Sequence, residues 1–285
     1  MTAEILTVTA SCYHADTVAD QPTLSASIAK ILVTQSPLHA WTQHPRLNPY
    51  FVREEDDKFS IGVVAHAVLL EGVDALNVVE VCEFDSWRSG DAKAAKEASR
   101  AAGKIPLLGK HYFDVLQMVD AARKQLDAHE ASPPLFRHGK PEQTIVWDEA
   151  GVSCRARLDW LHDDHSVIDD LKSTSVSAKP DAFERTLYNM GYHVQAALYR
   201  RGVCAVTGVE PEFRFAIVET SAPYAVSVLT PGPDMLALAD AQVDYAINLW
   251  RDCLANDSWP GYSTRVATAE LPAWAESQWM ERSAA

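Results

Sequence analysis

Apolar positions in the first 135 residues recur at helical spacing. Thr23 or Ser25 caps a helix predicted to run through about Thr34, with Ala26, Ile28, Ile31 and Leu32 on its apolar side. Ser36-Pro37 opens a short second helix through Trp41, and His44-Pro45 and Asn48-Pro49 mark a loop. A further helix is predicted from Ser60 to Glu71, closed by Gly72. Asn77 to Glu83 reads as a strand. Two helices follow, about Asp91 to Ala102 and Lys110 to His129, joined by the short connection Gly103-Lys104-Ile105-Pro106.

The period then drops towards two. Gln143 to Trp147 reads as a strand, and Gly151 precedes two more, Cys154 to Trp160 and Val167 to Lys172. The polar turn His162-Asp163-Asp164-His165-Ser166 joins them. Ser177 to Asp181 is a capped turn into one long helix ending near Gly202. Glu212–Glu219 and Tyr224–Leu229 form a strand pair turning at Ser221-Ala222-Pro223. Pro231-Gly232-Pro233 breaks before a last long helix, about Asp234 to Ala255. The tail beyond Trp259-Pro260 has little pattern, and its Trp274 and Trp279 predict that it docks on the body. The expected fold is one α/β domain over residues 1–285, a central mixed β-sheet flanked by helices. It comprises a helical N-terminal part at about 20–135, a catalytic core at about 140–255 and a tail at about 256–285.

The two central strands carry the chemistry. Side chains alternate across a strand, so Asp170 and Lys172 share one face and Asp169 points to the other. The hairpin brings Asp159 within reach of Asp170. Two carboxylates aimed at one point repel unless a cation lies between them, and oxygen ligands suit Mg²⁺, with Mn²⁺ as a substitute. Such an ion polarises a phosphoryl oxygen and acidifies water, and Lys172 would orient that water or stabilise charge on the phosphate. A lone Asp-x-Lys is more often a solvated strand edge, and Asp169 competes as the ligand; the phase with Lys172 favours Asp170. Asp163 and Asp164 read as turn residues.

Further candidates lie on helices. Gly62 and His66 share a face. His66 is either a satisfied core histidine or a metal or phosphate ligand, with Gly62 permitting close approach. Gln195 and Tyr199 also share a face and could bond a phosphate, the attacking water or a base; the plainer reading is packing, with Tyr192, Val194 and Leu198. Tyr188 and His193 are weaker candidates. Arg157 is expected on the same strand face as Asp159, either touching DNA or pairing with a surface acid.

Composition changes part of this picture. No run of 18 apolar residues is present, so no membrane span is expected, and no signal peptide is evident. Five scattered cysteines (Cys12, Cys82, Cys154, Cys204, Cys253) without a C-x-x-C pair read as free thiols in a reducing cytoplasm, not as an iron–sulfur site. A net charge of −14 argues against a generally basic DNA-binding surface. Basic residues nonetheless cluster at Arg88, Lys93, Lys96, Arg100, Lys104 and Lys110, and again at Arg185, Arg200 and Arg201.

An ordered set of motifs resembles a known family. Tyr13-His14-Ala15-Asp16, Leu24-Ser25-Ala26-Ser27, Ser36-Pro37-Leu38-His39, Gly62-x-x-x-His66, Arg157-Leu158-Asp159, Ile168-Asp169-Asp170-Leu171-Lys172 and Tyr192-His193-Val194-Gln195-Ala196-Ala197-Leu198-Tyr199 look like the nuclease domain of RecE-type exonucleases (exonuclease VIII), in the PD-(D/E)XK superfamily. The resemblance covers roughly residues 12–230. It implies a restriction-endonuclease-like fold and a Mg²⁺-dependent 5′→3′ exonuclease on the ends of linear double-stranded DNA. The 3′ single strand left behind would pass to an annealing recombinase. Carried over by position, Asp159 and Asp170 hold metal with His66 and the Leu171 carbonyl; Lys172 positions water; Gln195 and Tyr199 support the site. It also implies a ring-shaped homo-oligomer in the cytoplasm of a bacterial or phage-infected cell. The competing readings are an endonuclease of the same superfamily, a catalytically silent nuclease fold that binds DNA or protein, and a non-haem iron enzyme using His162-x-Asp164.

Overall fold

In the computed structural model a six-stranded mixed sheet runs through the molecule, with helices on both faces. The structure describes residues 3–52, 59–72, 77 and 79–283. In chain order the elements begin β1 (Glu4–Leu6), α1 (Ala10–His14), α2 (Ala26–Thr34), α3 (Pro37–Thr42) and α4 (Phe59–Glu71). Next come β2 (Val79–Cys82), α5 (Gly90–Ala101), β3 (Ile105–Leu108) and α6 (Gly109–Asp127). The central strands are β4 (Gly139–Glu149), β5 (Val152–His162) and β6 (Val167–Thr174). Then follow α7 (Pro180–Asn189), α8 (Tyr192–Thr207), β7 (Glu212–Glu219), β8 (Val226–Leu229), α9 (Pro233–Asn256) and α10 (Ala273–Ser283).

The sheet order is β1-β4-β5-β6-β7-β8, antiparallel except for the β6/β7 pair. Parallel neighbours need a crossover, and α7 with α8 supplies it. One core joins α2, α7, α8 and α9 to one face through Leu24, Trp147, Phe183, Phe215 and Trp250. The other joins α4 and α6 to the opposite face through Val64, Met118, Leu171 and Val218. Burying each large side chain of this kind contributes roughly 1.5–3 kcal/mol, so both faces of β6 are fixed by packing.

Several expectations shift. The predicted helix from Ser177 to Gly202 is two helices, because Gly191 sits at φ +70° between them. That left-handed backbone stops α7 and restarts the chain on a new axis. The connection Gly103–Pro106 continues into a strand, β3, paired parallel to β2 in a separate two-stranded sheet. Pro106 hid it, since proline in a strand is confined to edges. The predicted strand Asn77–Glu83 shortens to Val79–Cys82, and Val78 lies outside the described residues. β1 and α1 were not foreseen. The tail docks only at its start. Trp259 packs on the core and the Pro260 carbonyl accepts from Leu38 N at 3.1 Å. Trp274 and Trp279 on α10 are 68% and 69% exposed.

Candidate metal and phosphodiester site

The site forms where the sheet opens. β4 and β5 pair without a break except at Glu142 and Asp159, which face each other unpaired. The register is the same on both sides of this gap, so neither strand gains a residue. Glu142 lies at φ +56°, an uncommon conformation for a residue other than glycine. Inward alternation also slips here. Cys154, Ala156 and Leu158 face the α8 core, and the next to do so is Leu161. β5 and β6 pair only at Trp160–Asp169 and Leu161–Ile168 and part beyond that point. Past the parting, the Leu171 N–H donates to Asp159 Oδ2 at 2.8 Å, a carboxylate standing where a strand carbonyl would.

α4 delivers His66 to this gap. Its close approach depends on Gly62, where a Cβ would come within 2.6 Å of Ser173 Oγ on β6. Gly62 therefore lets the helix, rather than a phosphate, come close. His66 Nε2 lies 3.0 Å from Asp159 Oδ2 and its Nδ1 3.5 Å from Glu142 Oε1. Among the described residues, ligand atoms of His66, Glu142 and Asp159 all lie within 4.8 Å of one another. Two carboxylates and an imidazole in one opening form an oxygen-rich donor set that suits a hard divalent cation.

From the other side, β6 presents Asp170 and Lys172. The Lys172 ammonium contacts Asp170 Oδ1 and lies 4.9 Å from the centre of the Tyr192 ring. Gln195 Nε2, on α8, donates to Asp170 Oδ2 at 2.6 Å. Asp170 is thus held by Lys172 and Gln195, beside the His66–Glu142–Asp159 cluster. Tyr199 lies one turn on, buried against Phe213, and burial raises its hydroxyl well above the usual range. A cleft of about 560 Å³ opens beside these residues, lined in part by Ser25, Lys30, Arg155, Tyr192, Gln195 and Tyr199.

The electrostatics report crowding of negative charge. Burial raises the Asp170 carboxyl, Lys172 opposes this, Asp159 adds to it, and the result is about 7. Asp159 is also raised by burial, but its His66 hydrogen bond, the charges of His66 and Lys172 and the Leu171 N–H bring it below the usual carboxylate range. Burial lowers His66, and Asp159 and Glu142 outweigh it, so the imidazole is raised. Glu142 is raised, by burial first, against the pull of His66 and Arg157. Lys172 is lowered by burial and raised more by Asp170 and Asp159, which keeps it an ammonium. A cation in this opening would offset both the burial and the Asp159 repulsion that raise Asp170.

Of its two expected readings Arg157 takes the pairing with an acid, although that acid is Glu142 at the site and not one at the surface. Its Nε donates to Glu142 and its Nη1 to Val8 O at 3.1 Å and Thr144 Oγ1 at 3.0 Å. His162 is not in the turn; it ends β5, buried, with Nε2 2.8 Å from Asp169 Oδ2. Asp164, in the turn, accepts from Ser166, so His162-x-Asp164 forms no ligand pair. Among weaker candidates, His193 Nε2 bonds Gln242 at 2.9 Å and stacks on Tyr188. Glu142 was missed. Counting back from the Ala150-Gly151 turn would have placed it opposite Asp159.

The chain matches, over residues 29–272, the family described as PDDEXK-like domain of unknown function (DUF3799). It belongs to that family. The PDDEXK-like chain shares its fold with a crystal structure of a presumptive exonuclease from Eubacterium rectale. The TM-score is 0.62 at 14% identity, over 94% of this chain and 97% of the other. A phage-related exonuclease from Haemophilus somnus 129PT matches at a TM-score of 0.31 and 11% identity, over 68% and 95%. No curated protein matches. No helix among the described residues is long and apolar enough to cross a membrane.

Proposed function

We propose that this PDDEXK-like protein hydrolyses phosphodiester bonds of DNA with a divalent metal ion, acting from the ends of linear duplexes. The observation that carries this reading is the convergence of His66, Asp159, Asp170, Lys172 and Gln195 on the opening between β5 and β6. When bound, a divalent cation polarises a phosphoryl oxygen and lowers the pKa of water. His66, Asp159 and Asp170 are the residues to hold it. Lys172, kept protonated by the two acids, donates to the phosphate and stabilises charge in the transition state instead of taking the water's proton. Gln195 fixes one Asp170 oxygen and leaves Lys172 the other. Tyr199, one turn from Gln195 on α8, backs the site from behind. Water adds to phosphorus as the bond to the leaving sugar oxygen breaks; one water proton passes to solvent, and the leaving oxygen takes a proton from solvent.

The finer reading is a RecE-type exonuclease that uses Mg²⁺, runs 5′→3′ as a homo-oligomeric ring and leaves a 3′ strand for an annealing partner. The motif set from Tyr13 to Tyr199 supports it. An acidic protein needs a local grip on DNA. Residues 86–110 hold six Lys and Arg against two Asp and Glu. Lys93, Lys96 and Arg100 lie along one flank of α5, on the small sheet beside α4. That stripe suits the phosphate backbone of a duplex leading to the site.

The test uses linear and covalently closed circular duplex DNA with Mg²⁺ or EDTA. The linear DNA carries a label on either the 5′ or the 3′ end. Expected is loss of linear DNA alone, starting from the 5′ end, abolished by EDTA, and reduced at least about 10²–10³-fold by Asp170→Ala or Lys172→Ala. Cutting of the circle would make the protein an endonuclease. No hydrolysis by folded protein with Mg²⁺ or Mn²⁺ would leave a binding role.

A further inference from the structure

One acid at the site has no part in the motif set. Glu142 sits in the left-handed region inside a strand, opposite Asp159, where both leave the ladder. Such a conformation costs free energy and persists where surrounding contacts hold it. Here Arg157 holds it, donating its Nε to Glu142 Oε2 and anchored in turn on Val8 O and Thr144 Oγ1. The other oxygen, Oε1, faces His66 Nδ1 at 3.5 Å, while His66 Nε2 faces Asp159. The four side chains form one line: Arg157, Glu142, His66, Asp159.

The order within that line has a chemical consequence. A neutral imidazole carries one proton. If Nε2 gives its lone pair to a cation shared with Asp159, the proton must be on Nδ1, and it needs an acceptor. Metal-bound histidines commonly donate this second N–H to a carboxylate, which fixes the tautomer and the ring orientation. We propose that Glu142 is the positioning residue of the metal site. It takes the Nδ1–H of His66 and so presents Nε2 to the ion, and Arg157 keeps it in place. This rests on the metal-dependent reading above. It gives Arg157, Glu142 and the strand gap one shared purpose.

Isothermal titration of the full chain with Mn²⁺ tests it on wild type, Glu142→Asn, His66→Ala and the double variant. Asparagine is chosen because it tolerates the left-handed backbone. Expected is a weakening of Mn²⁺ binding by about 10–100-fold in Glu142→Asn, with no further loss when the substitution is added to His66→Ala. In Mg²⁺-loaded protein, imidazole ¹⁵N spectra should show His66 protonated at Nδ1, and lose that single tautomer in Glu142→Asn. If Glu142→Asn does not fold, Arg157→Gln leaves the carboxylate in place but loose, and should give a smaller loss in the same direction. Unchanged Mn²⁺ affinity in the folded variants overturns the inference. Equal loss with and without His66 also overturns it, and makes Glu142 a ligand in its own right. Wild-type protein that takes up no Mn²⁺ removes the metal-dependent reading itself, a different failure.

Discussion

Asp169 and Asp170 are chain neighbours, both fully buried, yet they face opposite sides of one strand and live in opposite chemistry. Asp169 is satisfied on every side. It accepts from Arg214 Nε at 2.7 Å, His162 Nε2 at 2.8 Å and the Phe136 N–H at 3.0 Å. Burial raises its carboxyl, but these partners prevail and it ends below the usual range. Burial raises Asp170 too, Lys172 opposes it, Asp159 adds to it, and the carboxyl ends near 7. The same residue type becomes a staple on one face and a poised acid on the other. Burial raises both, and the difference lies in whether the partners within the protein outweigh it. Asp169 ties β6 to β7 and to the loop before β4; Asp170 leaves an electrostatic need unmet.

The largest expected effect separates the two acids. Asp169→Asn removes the charge opposite buried Arg214 and should cost about 3–5 kcal/mol of stability, read as a lower Tm at pH 7, while folded molecules keep their hydrolytic rate. Asp170→Asn should do the reverse, abolishing turnover with little change in Tm; equal Tm losses would end the contrast. The sign with pH follows. Asp169 is depressed in the folded state, so its stabilisation is present above its unfolded pKa of about 3.9 and is lost as pH falls through the folded value. The Tm gap between wild type and Asp169→Asn should therefore close in acid.

A second effect sharpens the Asp170 side. Ligands must shed protons to bind metal, and both His66 and Asp170 are raised. Mn²⁺ affinity should be highest near pH 8 and fall as pH drops below 7, with proton release measurable by titration in buffers of different ionisation heat. A flat profile from pH 8 to 6 would contradict it. The smallest effect concerns the distant basic stripe. Lys93→Ala should lower the salt slope of duplex binding by about one, leaving hydrolysis of a small phosphodiester unchanged.

Much of this site could be read along the chain because the information was local. A two-residue period put Asp170 and Lys172 on one face; a four-residue step paired Gln195 with Tyr199 on α8, of which only Gln195 bonds Asp170. The basic run at 88–110 was also visible, although only α5 aligns part of it on one flank. Other features were not local. The helix expected to end near Gly202 ran through Gly191, whose left-handed φ of +70° breaks it where Lys30 packs within 2.7 Å of an added Cβ. The tail tryptophans suggested docking, yet the described core offers them no place. Arg157 shared a strand with Asp159 as expected, but the acid that claims it comes from β4.

By itself the sequence determined the fold class, the order of the strands from β4 to β8, and the list of acids, lysine and histidine from which a site could be built. Periodicity and turn residues encode these directly, since they act over a few residues. Tertiary structure decided the roles. It parted β5 from β6 beyond one short ladder, brought α4 against Ser173 so that His66 reaches Asp159, and turned Glu142 out of its strand toward His66. It also balanced Asp169 with Arg214 while leaving Asp170 raised. Each depends on charges and surfaces far apart in the chain, whose energies exist only once the sheet and its two helical layers are assembled.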